Sequence, residues 1–151
     1  KNRGQEFEPI YPRAVTVSGG EAEHGRASGV ARSDDGNLNV ELRLPTALGG
    51  GGDGTTPEQL FPAAYAACSH GALNLLAAKK KIPVHDATVK VSVAFGRDPM
   101  DGLFVLTADV RIHLPDVEKS VAEELVRSTE RFCPYAKMAR NGITSIVALA
   151  T

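Results

Sequence analysis

Cys68 and Cys133 are the only cysteines in the 151-residue chain. They lie 65 positions apart, too far for a local Cys-x-x-Cys hairpin or a zinc knuckle. If the fold brings them together, a reversible disulfide is the chemistry to expect of them. Cys68 ends the run 55–68, which reads as a capped apolar helix, and burial in such a helix raises a thiol's pKa and makes it inert. It sits twelve residues past the cap at Thr56, about 18 Å along a helix axis. The helix dipole acts only within the first turn, so it does not reach this sulfur. An active Cys68 therefore needs a cation from elsewhere. Arginine suits that role best, being always charged and able to bond a carboxylate bidentately while facing sulfur. Cys133 opens Cys133-Pro134-Tyr135 at the end of a second helical stretch.

The elements that must position these thiols are legible in the patterning. Residues 1–12 read as a loose polar arm with Pro9 and Pro12, and 13–151 as a single domain. Strands are expected at 14–17, 30–33 and 37–44. The last two flank Asp34-Asp35-Gly36, a hairpin signal, and Leu38, Val40, Leu42 and Leu44 alternate with polar neighbours as in a half-buried sheet. The glycine-rich loop 49–54 lacks the Lys-Ser/Thr of a phosphate loop and reads as a flexible connection. Thr56 as N-cap, Pro57 at the first helical position and Gln59 completing a capping box start a helix running to Lys79. Apolar residues nearly encircle it, which predicts a buried central helix. Further strands are expected over 87–95 and 103–114, a second helix over 117–132, and a final strand over 143–150. This order defines an α+β class with mainly antiparallel sheets and two main helices.

The bulk properties exclude several functions. A net charge of −1 offers no electrostatic case for nucleic acid or an anionic membrane. No apolar stretch reaches the roughly 20 residues that span a bilayer. Two cysteines are too few for a secreted disulfide scaffold, so a reducing, cytoplasmic setting is expected. The chain begins at Lys1 rather than Met, which is compatible with lost upstream residues, and no signal peptide is read in the residues present.

Several blocks together resemble a known family. Pro57-Glu58-Gln59-Leu60-Phe61, Ala66-Ala67-Cys68 and Cys133-Pro134-Tyr135 look like the organic hydroperoxide resistance branch of the Ohr/OsmC family. Leu48-Gly49-Gly50, Leu114-Pro115 and Asn141-Gly142-Ile143 extend the resemblance over nearly all of the chain after residue 13. The resemblance implies a swapped dimer and a cofactor-free thiol peroxidase with no metal. In that scheme Cys68 attacks the peroxide, Cys133 resolves the sulfenic acid to a Cys68–Cys133 disulfide, and a dihydrolipoyl-type dithiol reduces it. Glu58 matches the family's glutamate. Arg26 is the match for its arginine, counted back from Ser33-Asp34 and Leu38, with Arg32 the alternative. Leu60, Phe61 and Phe132 would line an opening for alkyl chains. Ser69-His70 and Pro62 depart from the family pattern, which bears on pocket shape and substrate preference.

One consequence follows from helix geometry. Glu58 and Cys68 are ten residues apart on one helix, about 15 Å along its axis. If an Arg–Glu pair serves the thiolate, Glu58 is expected to reach the partner subunit's Cys68 across a two-fold axis. The readings that compete with a peroxidase are a non-enzymatic thiol-switch sensor or binding module, and a plain scaffold with inert cysteines. A metal site of Cys68, His70 and Cys133 is disfavoured, since positions two apart on a helix diverge.

Overall fold

The structure is a computed structural model describing residues 7–21 and 27–150. The chain falls into two compact units, Lys1–Pro57 and Glu58–Thr151. The first holds an antiparallel three-stranded sheet in the order β1 (Val15–Ser18), β2 (Val30–Ser33), β3 (Asn39–Glu41). The expected turn joins β2 to β3: Asp35 accepts from the Ser33 hydroxyl at 2.6 Å and the Asn37 N–H at 3.0 Å, while Gly36 takes φ 77°. Gly29 is required where β1 and β2 meet. Its φ is 92°, and a Cβ there would come within 2.5 Å of the Ser18 carbonyl oxygen. The strand expected over 37–44 is shorter than its alternation implies. The ladder ends at Glu41, and Leu42 makes only an isolated bridge to Thr55.

The second unit is built on α1 (Pro57–Lys79), a continuous helix of 23 residues. It buries one stripe, Tyr65, Ser69, Ala72, Leu73 and Ala77, whose spacing of three and four is that of a helix face. The helix is therefore not buried all round within one chain; Leu75 on another face remains 45% exposed. Against the stripe packs the antiparallel hairpin of β4 (Thr88–Arg97) and β5 (Phe104–His113), in which Val91 pairs with Val110. α2 (Lys119–Phe132) follows, capped by the Glu118 carboxylate, which accepts from the Ser120 and Val121 N–H groups. Leu73, Ala77 and Leu125 form one buried cluster, with Ile112 and Leu114 against it.

Two expectations are corrected here. The helical stretch does not simply end at Cys133: a third helix, α3 (Pro134–Asn141), starts immediately after it. Pro134 at the first helical position and Gly142 just past the end are the start and stop signals for it. The strand expected over 143–150 is absent as a strand. Ile143, Ile146, Val147 and Leu149 are 71–96% exposed. A β-rich segment becomes a strand only when another strand accepts its hydrogen bonds, and none does so here among the described residues.

Candidate active site

Both thiols lie in the second unit, and both positions follow from local sequence. Cys68 is placed by α1: with Phe61, Tyr65 and Ala72 it packs toward the cluster that contains Cys133 and Ala136. It is half-buried, at the margin of the stripe. Cys133 is placed by Pro134. The residue before a proline is driven out of the helical region, and Cys133 has φ −70° and ψ 120°. It therefore ends α2, donating its N–H to the Thr129 oxygen at 2.9 Å, and serves as N-cap of α3. Its side chain is buried, at 1% exposure.

The two sulfurs are 3.4 Å apart and both cysteines are free. A disulfide requires about 2.05 Å, so closing the remaining gap of about 1.4 Å asks for side-chain rotation rather than refolding. The Ser69 hydroxyl lies 3.5 Å from Cys133 Sγ, and Ser69 is itself 3% exposed. Tyr65 and Tyr135 complete the wall, their ring centroids 6.1 Å apart; Phe61 meets the Tyr65 ring edge-on at the same distance. A cavity of about 250 Å³ lined by Tyr65, Ser69, Thr129, Glu130 and Ala136, among others, adjoins this cluster.

The electrostatics of the pair are unequal. Burial pushes the Cys68 thiol above its ordinary range and the neighbouring Cys133 sulfur pushes it further, with only the Tyr135 N–H opposing. Burial also works against ionising Cys133. There the Ser69 hydroxyl, the Ala136 N–H, Cys68 and the Tyr135 N–H together outweigh it, and the thiol falls below its ordinary range. The α3 N–H groups act at a distance, closing no cap hydrogen bond onto the sulfur. Tyr65, desolvated and beside Cys133 and Glu130, is held above the usual phenol range.

The other expected site residues are distributed as follows. Glu58 lies in the first turn of α1, half-buried, and Leu60 and Phe61 follow it, also half-buried. Phe61 packs on the thiol cluster; Phe132 does not join it and is 49% exposed. Arg26 lies outside the described residues. Arg32 is exposed on β2, its Nε donating to Asn39 Oδ1 at 3.4 Å. His70 is exposed on the face away from Cys68, and its backbone oxygen accepts from the Asn74 amide at 2.9 Å. Among the described residues no group of three or more His, Cys, Asp or Glu side chains is arranged to hold a metal ion. No described helix is long and apolar enough to cross a membrane. Reading motifs alone left Ser69 unassigned to the thiol pair; its signal was a polar residue next to a helical cysteine.

This arrangement, a helix-borne thiol facing a second thiol at a Cys-Pro break in an α+β unit, defines a class of redox-competent dithiol proteins. Residues 50–147 match the OsmC-like protein family, and the chain belongs to it. It is 38% identical over 143 residues to the organic hydroperoxide resistance protein of Xanthomonas axonopodis pv. citri, covering 93% of this chain and 95% of that protein. It is 36% identical over 134 residues to organic hydroperoxide resistance protein OhrB of Bacillus subtilis, covering 89% and 93%. The crystal structure of OhrB superposes with a TM-score of 0.73 over 87% of this chain and 92% of that one. An organic hydroperoxide resistance protein from Elizabethkingia anophelis, 34% identical, superposes with a TM-score of 0.79 over 89% and 92%.

Proposed function

We propose that this protein is a cysteine peroxidase that reduces organic, lipid-derived hydroperoxides to alcohols in the cytoplasm. The observation that carries this reading is the 3.4 Å separation of two free sulfurs held by different helices. The relatives named for organic hydroperoxide resistance support the choice of substrate.

The cycle balances as follows. The Cys68 thiolate attacks the terminal oxygen of ROOH; the O–O bond breaks, and the alkoxide takes a proton to leave as ROH. Cys68 is now a sulfenic acid. Cys133 thiolate attacks that sulfur; the S–S bond forms, the S–O bond breaks, and hydroxide leaves as water after protonation. A dihydrolipoyl-type dithiol returns both sulfurs to thiols and departs as a cyclic disulfide. Because burial and Cys133 both raise Cys68, its thiolate needs an external cation. Arg26 supplies the guanidinium and Glu58 orients it. Leu60, Phe61 and Phe132 form the apolar approach for the alkyl chain.

The working unit is a swapped homodimer. The exposed apolar segment from Ile143 to Leu149, which pairs with no strand among the described residues, calls for a second copy. Glu58 and Cys68, ten residues apart on one continuous helix, serve opposite active sites in that dimer. The test is steady-state turnover with cumene hydroperoxide and dihydrolipoamide. Dithiol-driven turnover that depends on Cys68 is expected. Full turnover in Cys68→Ser would overturn the scheme, and stoichiometric thiol loss without turnover would point to a switch instead.

A further inference from the structure

The proposed cycle leaves open which sulfur of the disulfide the external dithiol attacks, and what stabilises the sulfur it expels. Cys133 is 1% exposed, whereas Cys68 is half-buried. An incoming thiolate must reach the sulfur along the S–S axis, so Cys68 is the accessible target and Cys133 the leaving group. Exchange is faster when the leaving thiol is the more acidic one. The surroundings of Cys133 are built in that sense: it caps α3, and the hydroxyl of Ser69, a residue 3% exposed, lies 3.5 Å from its sulfur.

We infer that Ser69 is a positioning residue for the reductive half of this cycle, its buried hydroxyl donating to Cys133 Sγ and stabilising it as the expelled thiolate. The inference rests on the peroxidase reading for its biological setting but not for its chemistry. In the step itself the dithiol's thiolate bonds to Cys68 Sγ, the Cys68–Cys133 bond breaks, and its electron pair goes to Cys133. The second thiol of the reductant then displaces Cys68 from the mixed disulfide. Ser69 gains or loses no bond. A sulfur that carries charge can only accept, so there the hydroxyl donates, and a bond to a charged acceptor is the stronger one. The Cys133 thiol, held below its ordinary range and so easier to ionise, agrees in direction, and Ser69 contributes the largest of the effects that favour the anion.

Cys68 and Tyr65 from α1 are the titratable groups beside Cys133, and Glu130 of α2 and Arg140 of α3 act on the Tyr65 ring next to it. From the hairpin, Val91 and Val110 pack against the cluster that contains Cys133. A variant at Ser69 leaves all of these in place. Threonine keeps the hydroxyl, and its extra methyl has room in the adjoining cavity of about 250 Å³.

The experiment has two arms. In a Cys68→Ala background, chosen because it introduces no new hydroxyl donor, Cys133 is titrated by the ultraviolet absorbance of its thiolate. Ser69→Ala is expected to lower its acid constant about tenfold, and Ser69→Thr to restore it. In the two-cysteine protein, oxidised beforehand to the disulfide, reduction by dihydrolipoamide is expected to slow about fivefold in Ser69→Ala and recover in Ser69→Thr. An unchanged titration in Ser69→Ala overturns the inference. So does equal loss in both variants, which would make Ser69 a packing residue. Absence of peroxide turnover in the parent protein would sink the peroxidase reading alone, since the titration uses no peroxide.

Discussion

Cys68 and Cys133 are the same residue type in two regions built on opposite rules. Cys68 lies mid-helix, where every backbone N–H is already committed and the surroundings are apolar, so its neighbours favour the neutral thiol. Cys133 lies at a break between helices, where the first N–H groups of α3 are uncommitted and a hydroxyl stands close by. Deeper burial thus coexists with easier ionisation, because hydrogen-bond donors outweigh desolvation. The lesson is that exposure alone does not rank thiols; the hydrogen-bond donors around them count as well. In the proposed cycle the inert setting of Cys68 is what requires a cation from elsewhere.

The contrast can be broken at several points. The largest effect is expected from Cys68→Ser, which should reduce hydroperoxide turnover to background in the dithiol-coupled assay. Cys133→Ser should come next: one equivalent of peroxide consumed, a sulfenic acid seen by mass spectrometry, and little recycling. Between the two regions lies the packing that holds them in register. Leu125 is fully buried against Leu73 and Ala77, so Leu125→Ala should cost about 2–5 kcal/mol of stability. Chemical denaturation would measure this, and loosening α2 should slow disulfide closure as well.

A subtler change is Pro134→Ala. It removes the steric bar that keeps Cys133 out of helical conformation, so the α2–α3 break should weaken and its sulfur lose the donors of α3. The expected result is slower Cys68–Cys133 closure with a small stability change, checked by stopped-flow thiol loss alongside a thermal melt. The smallest effect is acid sensitivity away from both thiols. Glu118 is held below its ordinary 4.5 by the Ser120 hydroxyl and by the Ser120 and Val121 N–H groups, and Glu124 by Arg127. Carboxylates depressed in the folded state stabilise it above 4.5 and lose that contribution as pH falls through their folded values. A modest drop in melting temperature is expected below that pH, lessened in Glu118→Gln.

Local rules made much of this protein readable beforehand. Thr56-Pro57 marked the start of α1 and Asp34-Asp35-Gly36 marked the β2–β3 turn, because each depends on residues a few positions apart. The α3 helix was hidden behind Cys133-Pro134, where the proline that ends one helix also opens the next. The segment 143–150 misled for a different reason: it carries the composition of a strand, but pairing is a property of two segments and not of one.

By itself the sequence determined which atoms are available for chemistry, two cysteines on predictable elements, and the proline that forces Cys133 out of its helix. Only the tertiary structure decided that sulfurs 65 positions apart lie within 3.4 Å, and that Ser69 rather than His70 faces them. Helix periodicity gives each side chain a direction along its own helix. What stands in that direction depends on how α1, the hairpin and α3 pack, which is a many-body outcome of burying apolar surface.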